Sequence, residues 1–219
     1  MNTGDFKKAQ QNYEYCLENE EHSPEVYCCL GASFEKQEQF EKAIHWYKEA
    51  IKLNAEWDDG YFGVGVCLFA KTRFFEALHF LKKALKLDDK NAVYWLAVAD
   101  AEAQLGNTLS ATEAYQQSVA LDPNHSDAWI KWSTMLYEQA EYDEAADVML
   151  SGIDEMPEDA ELHYRACIYL IHAGKYRDAF LYLETALILN YDRHTILYNY
   201  FTNIETQKAL FRVIEQYRK

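Results

Sequence analysis

The sequence has few prolines and glycines, little basic charge and no long apolar runs. Three prolines and eight glycines in 219 residues leave no stretch that reads as a flexible linker or a low-complexity segment. No apolar run approaches the length of a membrane span. The opening residues Met1-Asn2-Thr3-Gly4-Asp5 lack the apolar core of a secretory signal. Lysine and arginine total 21 against 36 acidic residues, for a net charge of −15. Nucleic-acid binding is therefore disfavoured, because phosphate contacts need a basic footprint. The five cysteines are an odd count, and all fall in expected helices. Reduced, buried thiols rather than a disulfide framework fit a cytoplasmic setting. There is no phosphate-binding glycine loop, no CxxC pair and no nucleophile elbow.

What the sequence does have is a repeat. Ala43 returns as Ala77, Ala111, Ala145 and Ala179, and one step back as Ala9, always at an interval of 34 residues. A fixed period of this length marks a helical-repeat solenoid. Seven residues after each alanine stands a small residue: Cys16, Ala50, Ala84, Ser118, Gly152 and Ala186. Twelve before it stands another: Gly31, Gly65, Ala99, Ser133 and Cys167. Helix axes approach to about 8–10 Å only where the contact side chains are small. Four after the alanine comes a bulky residue, such as Tyr47, Leu81, Tyr115, Met149 or Leu183, which fills the space between helix pairs.

These residues resemble the tetratricopeptide repeat (TPR) family over nearly the whole chain. Tyr27, Leu30, Gly31 and Phe34 lead to Ala43, Tyr47 and Ala50 in one unit; another opens with Trp95 and closes with Leu121-Asp122-Pro123. A third opens with Trp129 and closes at Pro157. Glu102 departs from the pattern, standing where a large apolar residue is wanted. The resemblance implies an all-α, right-handed α-solenoid (a TPR superhelix) of antiparallel helix pairs, one continuous array.

The expected organisation has three parts. Residues 1–22 hold the second helix of an incomplete first repeat, with Phe6, Ala9, Tyr13 and Cys16 at its core positions. Because this half repeat keeps the core pattern rather than a polar cap, it reads as a piece of a longer array. Residues 24–193 hold five full repeats, 24–57, 58–91, 92–125, 126–159 and 160–193. Residues 194–219 form a C-terminal capping helix pair, a short one around Ile196–Phe201 and an amphipathic one around Lys208–Tyr217.

In TPR proteins the first helix of each repeat lines a concave groove. Mapped onto this chain, the floor is Phe62, Val66, Phe69, Leu96, Asp100, Ile130, Thr134, Tyr137, Tyr164, Ile168 and Ile171. Such a floor is unusually apolar for a solvent-facing surface and reads as a binding site. The competing reading is that a tight superhelix, or the C-terminal helix folded back, buries it. Glu25, Asp59, Asp127 and Glu161 form an acidic rail beside it. Acids at these places also suit the first turn of a helix. The family's carboxylate clamp looks absent: its positions carry Cys28, Ala32, Gly63, Val66, Ala97 and Asp100, and the basic residues noted on this face are Lys131 and Lys36.

The expected function is a protein–protein interaction scaffold, not an enzyme, with neither cofactor nor metal. Its partner is a protein or peptide segment, apolar with basic flanks, and nucleic acid and membrane spanning are excluded from the expectation. Two alternatives stand: a recruitment or regulatory arm of a larger enzyme, and a scaffold that self-associates through its terminal helices. Between Trp132 and Tyr164 there is no lysine or arginine among ten acids, read either as a solvated surface or as steering for a basic partner. His163 and Cys167 share a helix face at i, i+4, but no third ligand is patterned beside them.

Overall fold

The computed structural model describes residues 22–201 and 208–218. The expected helix of the 1–22 segment, Cys16 included, lies outside these residues. Ten helices in sequence form five pairs: α1 (Pro24–Glu35) with α2 (Phe40–Leu53), α3 (Asp58–Ala70) with α4 (Phe74–Leu87), α5 (Ala92–Gln104) with α6 (Thr108–Leu121), α7 (Ser126–Glu138) with α8 (Tyr142–Glu155), and α9 (Ala160–His172) with α10 (Tyr176–Leu189). A 3-10 helix (Tyr191–Ile196), the short α11 (Leu197–Tyr200) and α12 (Lys208–Gln216) follow. Among the described residues every regular element is a helix.

The recurring small residues are where the helices of a pair meet. Ala43, Ala77, Ala111, Ala145 and Ala179 are all fully buried, as are Ala50, Ala84, Ser118 and Ala186 seven residues on. Side-chain caps at helix starts include Ser23 Oγ, Asn91 Oδ1 and Asp159 Oδ1, which accept from the amides of Val26, Val93 and Glu161. Each first helix ends on a left-handed residue at the same repeat position: Glu38, Thr72, Gly106, Ala140 and Gly174. Glycine takes that conformation freely, whereas Glu38, Thr72 and Ala140 hold it against steric cost. The amide after each left-handed residue then returns to a carbonyl five residues earlier, as Arg73 does to Leu68 and Lys175 to Leu170.

A second repeated device ties each first helix to the loop before it. Tyr61 Oη, Trp95 Nε1, Trp129 Nε1 and His163 Nε2 each donate to a carbonyl six residues back, on Ala55, Asp89, Pro123 and Pro157. His163 thus takes the place that tryptophan holds in two other repeats, and the carbonyl acceptor fixes its Nε2 as the protonated nitrogen. Burial pushes the thiols of Cys28, Cys67 and Cys167 up to about 12.

Contacts group the described residues into two compact units, one ending at Leu121 and one starting at Asp122. In a solenoid each repeat touches only its neighbours, so cohesion is local and can part at a repeat boundary. The boundary falls at the Asp122-Pro123-Asn124 turn. In the first unit α1 touches α3 and α3 touches α5, while their second helices lie farther apart. The first helices therefore form the inner row. In the second unit α7 touches α9 in the same way.

Candidate peptide-binding site

The inner row of the first unit carries an apolar strip on α3. Phe62, Val66 and Phe69 stand at i, i+4 and i+7, so they share one helix face. All three are half-buried. The Phe62 ring rests on Tyr94, centroids 4.7 Å apart, and Phe69 meets Phe74 at 5.1 Å. Leu96 on α5, expected on the floor, is 5 % exposed and belongs to the core instead. It shares the repeat register of Phe62, so periodicity alone does not distinguish the two.

Carboxylates flank the strip, and buried tyrosines orient them. Tyr47 Oη donates to Glu35 Oε2 at 2.8 Å, and Tyr115 Oη donates to Asp100 Oδ1 at 2.8 Å. Both tyrosines occupy the same repeat position on second helices. Tyr94 Oη lies 2.8 Å from Asp59 Oδ1 and 3.0 Å from Asp58 Oδ2. Burial, reinforced by the neighbouring carboxylates, raises the Tyr47 and Tyr94 hydroxyls well above the usual phenol range. They therefore stay protonated and keep donating. Glu25 and Asp59 are exposed at the start of their helices. Among the described residues Glu35, Asp58 and Asp59 make no ion pair with lysine or arginine.

The second unit departs from the expected open floor. Ile130, Thr134 and Tyr137 on α7, and Ile171 on α9, are half-buried, but Tyr164 and Ile168 are 0 % exposed. They are core residues, because the segment after α10 turns back over α9. Tyr164 Oη donates to the Asn190 carbonyl at 2.9 Å. Ile171 lines a pocket together with Tyr176 and Phe180 of α10 and Lys208, Ala209 and Leu210 of α12. The acidic rail is also interrupted in this unit. Asp127 pairs with Lys131 at 3.2 Å, and Glu161 pairs with Arg165 at 3.0 Å and Arg193 at 2.6 Å.

Arg165 is the inner-row residue that sequence reasoning missed. It stands at the same sixth repeat position as Lys131, so the repeat register contained the signal. Its guanidinium reaches Glu161, Thr134 Oγ1 (3.3 Å), Tyr169 Oη (3.5 Å) and Tyr200 Oη (3.4 Å). Around it is an aromatic cluster centred on Tyr137, whose ring lies 5.0–5.3 Å from those of Tyr142, Tyr169, His172 and Tyr200. Burial pushes the Tyr137 hydroxyl up to about 12 and holds His172 below the usual imidazole value.

Two tetratricopeptide-repeat models match the sequence, one over residues 24–56 and one over residues 96–160. The chain is a tetratricopeptide-repeat protein. Among solved structures, the MamA protein aligns with this TPR protein at a TM-score of 0.65 and 21% identity, over 76% of this chain and 91% of that one. YrrB, described as a TPR protein with an unusual peptide-binding site, aligns at 0.65 and 20% identity, over 87% of this chain and 98% of that one. TTC0263, a thermophilic TPR protein of Thermus thermophilus, aligns at 0.61 and 21% identity, over 77% and 92%. At these identities the likeness is one of fold, an all-α solenoid of helix pairs. No curated protein matches by sequence.

TPR arrays are in general non-catalytic scaffolds, and the repeats of this chain support a protein-interaction scaffold. Among the described residues no helix is long and apolar enough to cross a membrane. Glu102, the departure from the TPR pattern, is 3 % exposed and accepts from Lys82 Nζ at 2.6 Å and Asn107 Nδ2 at 2.7 Å.

Proposed function

We propose that this TPR protein captures a partner segment on the inner row of the unit ending at Leu121, the segment being apolar with basic flanks. The observation that carries the reading is the placement of Phe62, Val66 and Phe69 among Glu35, Asp58 and Asp59, which make no ion pair with lysine or arginine among the described residues. An apolar strip supplies affinity once water leaves it. The carboxylates beside it set orientation and favour a cationic flank over an acidic one. A peptide as the ligand class is supported by the fold shared with YrrB and its peptide-binding site.

The test is fluorescence anisotropy with two labelled peptides, a basic amphipathic one and one with an acidic C-terminus. The basic peptide is expected to bind more tightly, with its affinity falling as salt rises. Phe62→Asp, checked by circular dichroism, is expected to weaken that binding at least about tenfold. Asp58→Asn/Asp59→Asn is expected to flatten the salt dependence. Preference for the acidic peptide overturns the reading.

A further inference from the structure

The second unit has an inner face that is already filled by its own chain. After α10 the backbone turns at Asn190, forms the 3-10 helix and α11, and lays Tyr200 and Phe201 over α7 and α9. A terminal cap needs to cover only the last helix pair. Tyr200 goes further: its ring is 5.3 Å from Tyr137 on α7, one pair back. Its hydroxyl is 3.4 Å from the Arg165 guanidinium, which also reaches Thr134 on α7. Phe201 packs edge-on against His172, centroids 5.4 Å apart, and is 5 % exposed. Arg193 closes on Glu161 at 2.6 Å beside the segment.

We propose that the inner face of α7 and α9 is a second binding site, for a peptide segment carrying two adjacent aromatic residues of which the first is a tyrosine, and that Tyr200–Phe201 occupies it in cis. The recognition chemistry is on the face itself. Tyr137, itself stacked on Tyr169, offers its ring to a tyrosine side chain in the edge-to-face arrangement that aromatic pairs favour. The guanidinium of Arg165 meets the phenol oxygen, and the His172 ring receives the second aromatic. None of these contacts depends on covalent continuity with α10, so a partner bearing the same pair makes them equally well. The tethered segment competes at high effective concentration, which lowers the apparent affinity for any partner by the fraction of time the face is open. This site is separate from the inner row of the first unit and stands or falls without it.

The probe is a labelled peptide with the sequence of residues 191–201, added in trans to the full chain. Tyr200→Ala/Phe201→Ala is expected to bind it at least about tenfold more tightly than the natural chain. Adding Tyr137→Ala to that variant is expected to remove the binding, and adding Phe62→Asp to leave it unchanged. Arg193→Ala, which loses only the exposed ion pair with Glu161, gives a milder opening that does not disturb the core. It is expected to bind more tightly than the natural chain and less tightly than the double variant. Equal binding by the natural chain and both variants, or binding by none of them, overturns the proposal. So does binding that Phe62→Asp abolishes, because the peptide then occupies the first unit.

Discussion

Replacing Gly63 with alanine is expected to lower the stability of the chain by about 2 kcal/mol, the usual cost of forcing an extra carbon into a packed contact. A Cβ at Gly63 overlaps the ring of Tyr47, and the ring has nowhere to go. On its other side it lies against Gly31, where a Cβ would stand 2.8 Å from the ring edge. Its hydroxyl is held by Glu35, and the side chain is only 5 % exposed. The next repeat shows how the clash is relieved, because Leu81 and Ala97 hold the positions equivalent to Tyr47 and Gly63. Tyr47→Leu combined with Gly63→Ala is therefore expected to recover most of the loss. Urea denaturation of the natural chain, the single variant and the double variant measures this. A single variant as stable as the natural chain would show that the Tyr47 ring is not confined.

Glu102→Leu is expected to raise stability by about 1–3 kcal/mol, although it removes a buried ion pair. The slot that Glu102 fills is taken by Phe34, Leu68, Leu136 and Leu170 in the other repeats, all nearly fully buried. Its partners are not buried with it: the Lys82 side chain is 55 % exposed and Asn107 is exposed. Once the carboxylate is gone, both return to water without leaving an unsatisfied group. A leucine then gains the burial that the carboxylate does not. Glu102→Gln is the contrasting variant. It keeps a polar group in the slot, gives up the charge-assisted bond to Lys82, and is expected to destabilise. Thermal unfolding separates the two, since about 1 kcal/mol moves the midpoint of a chain this size by about 2–4 °C. A leucine variant that melts below the natural chain would mean that Glu102 holds α5 in place.

The helix pairs were legible because their determinants are side chains at a fixed period: Ala43 and its recurrences mark each contact, and Gly106 and Gly174 mark turns. The same turn at Glu38, Thr72 and Ala140 was not legible, because a strained backbone leaves no mark on residue type when the rest of the repeat imposes it. At the inner row, Phe62, Val66 and Phe69 came from register and remain half-exposed. Tyr164 and Ile168 came from the same register and are buried, because what covers them lies where the repeat pattern has decayed. Periodicity reports which face a residue shares and is silent on what later chain packs there. Glu161 shows the same limit in its pair with Arg193, 32 residues on, whereas Asp127–Lys131 and Glu161–Arg165 are i, i+4 pairs that the sequence already held.

Hydroxyl-radical footprinting of the natural chain, with and without a saturating basic amphipathic peptide, tests the central claim most directly. It reads the side chains themselves, with no variant to misfold. The inner-row account predicts that labelling of Phe62 and Phe69 falls on binding, while Phe75, 78 % exposed on α4, is labelled as before. Protection of Phe75 with Phe62 and Phe69 unchanged would place the partner on the second helices and contradict it.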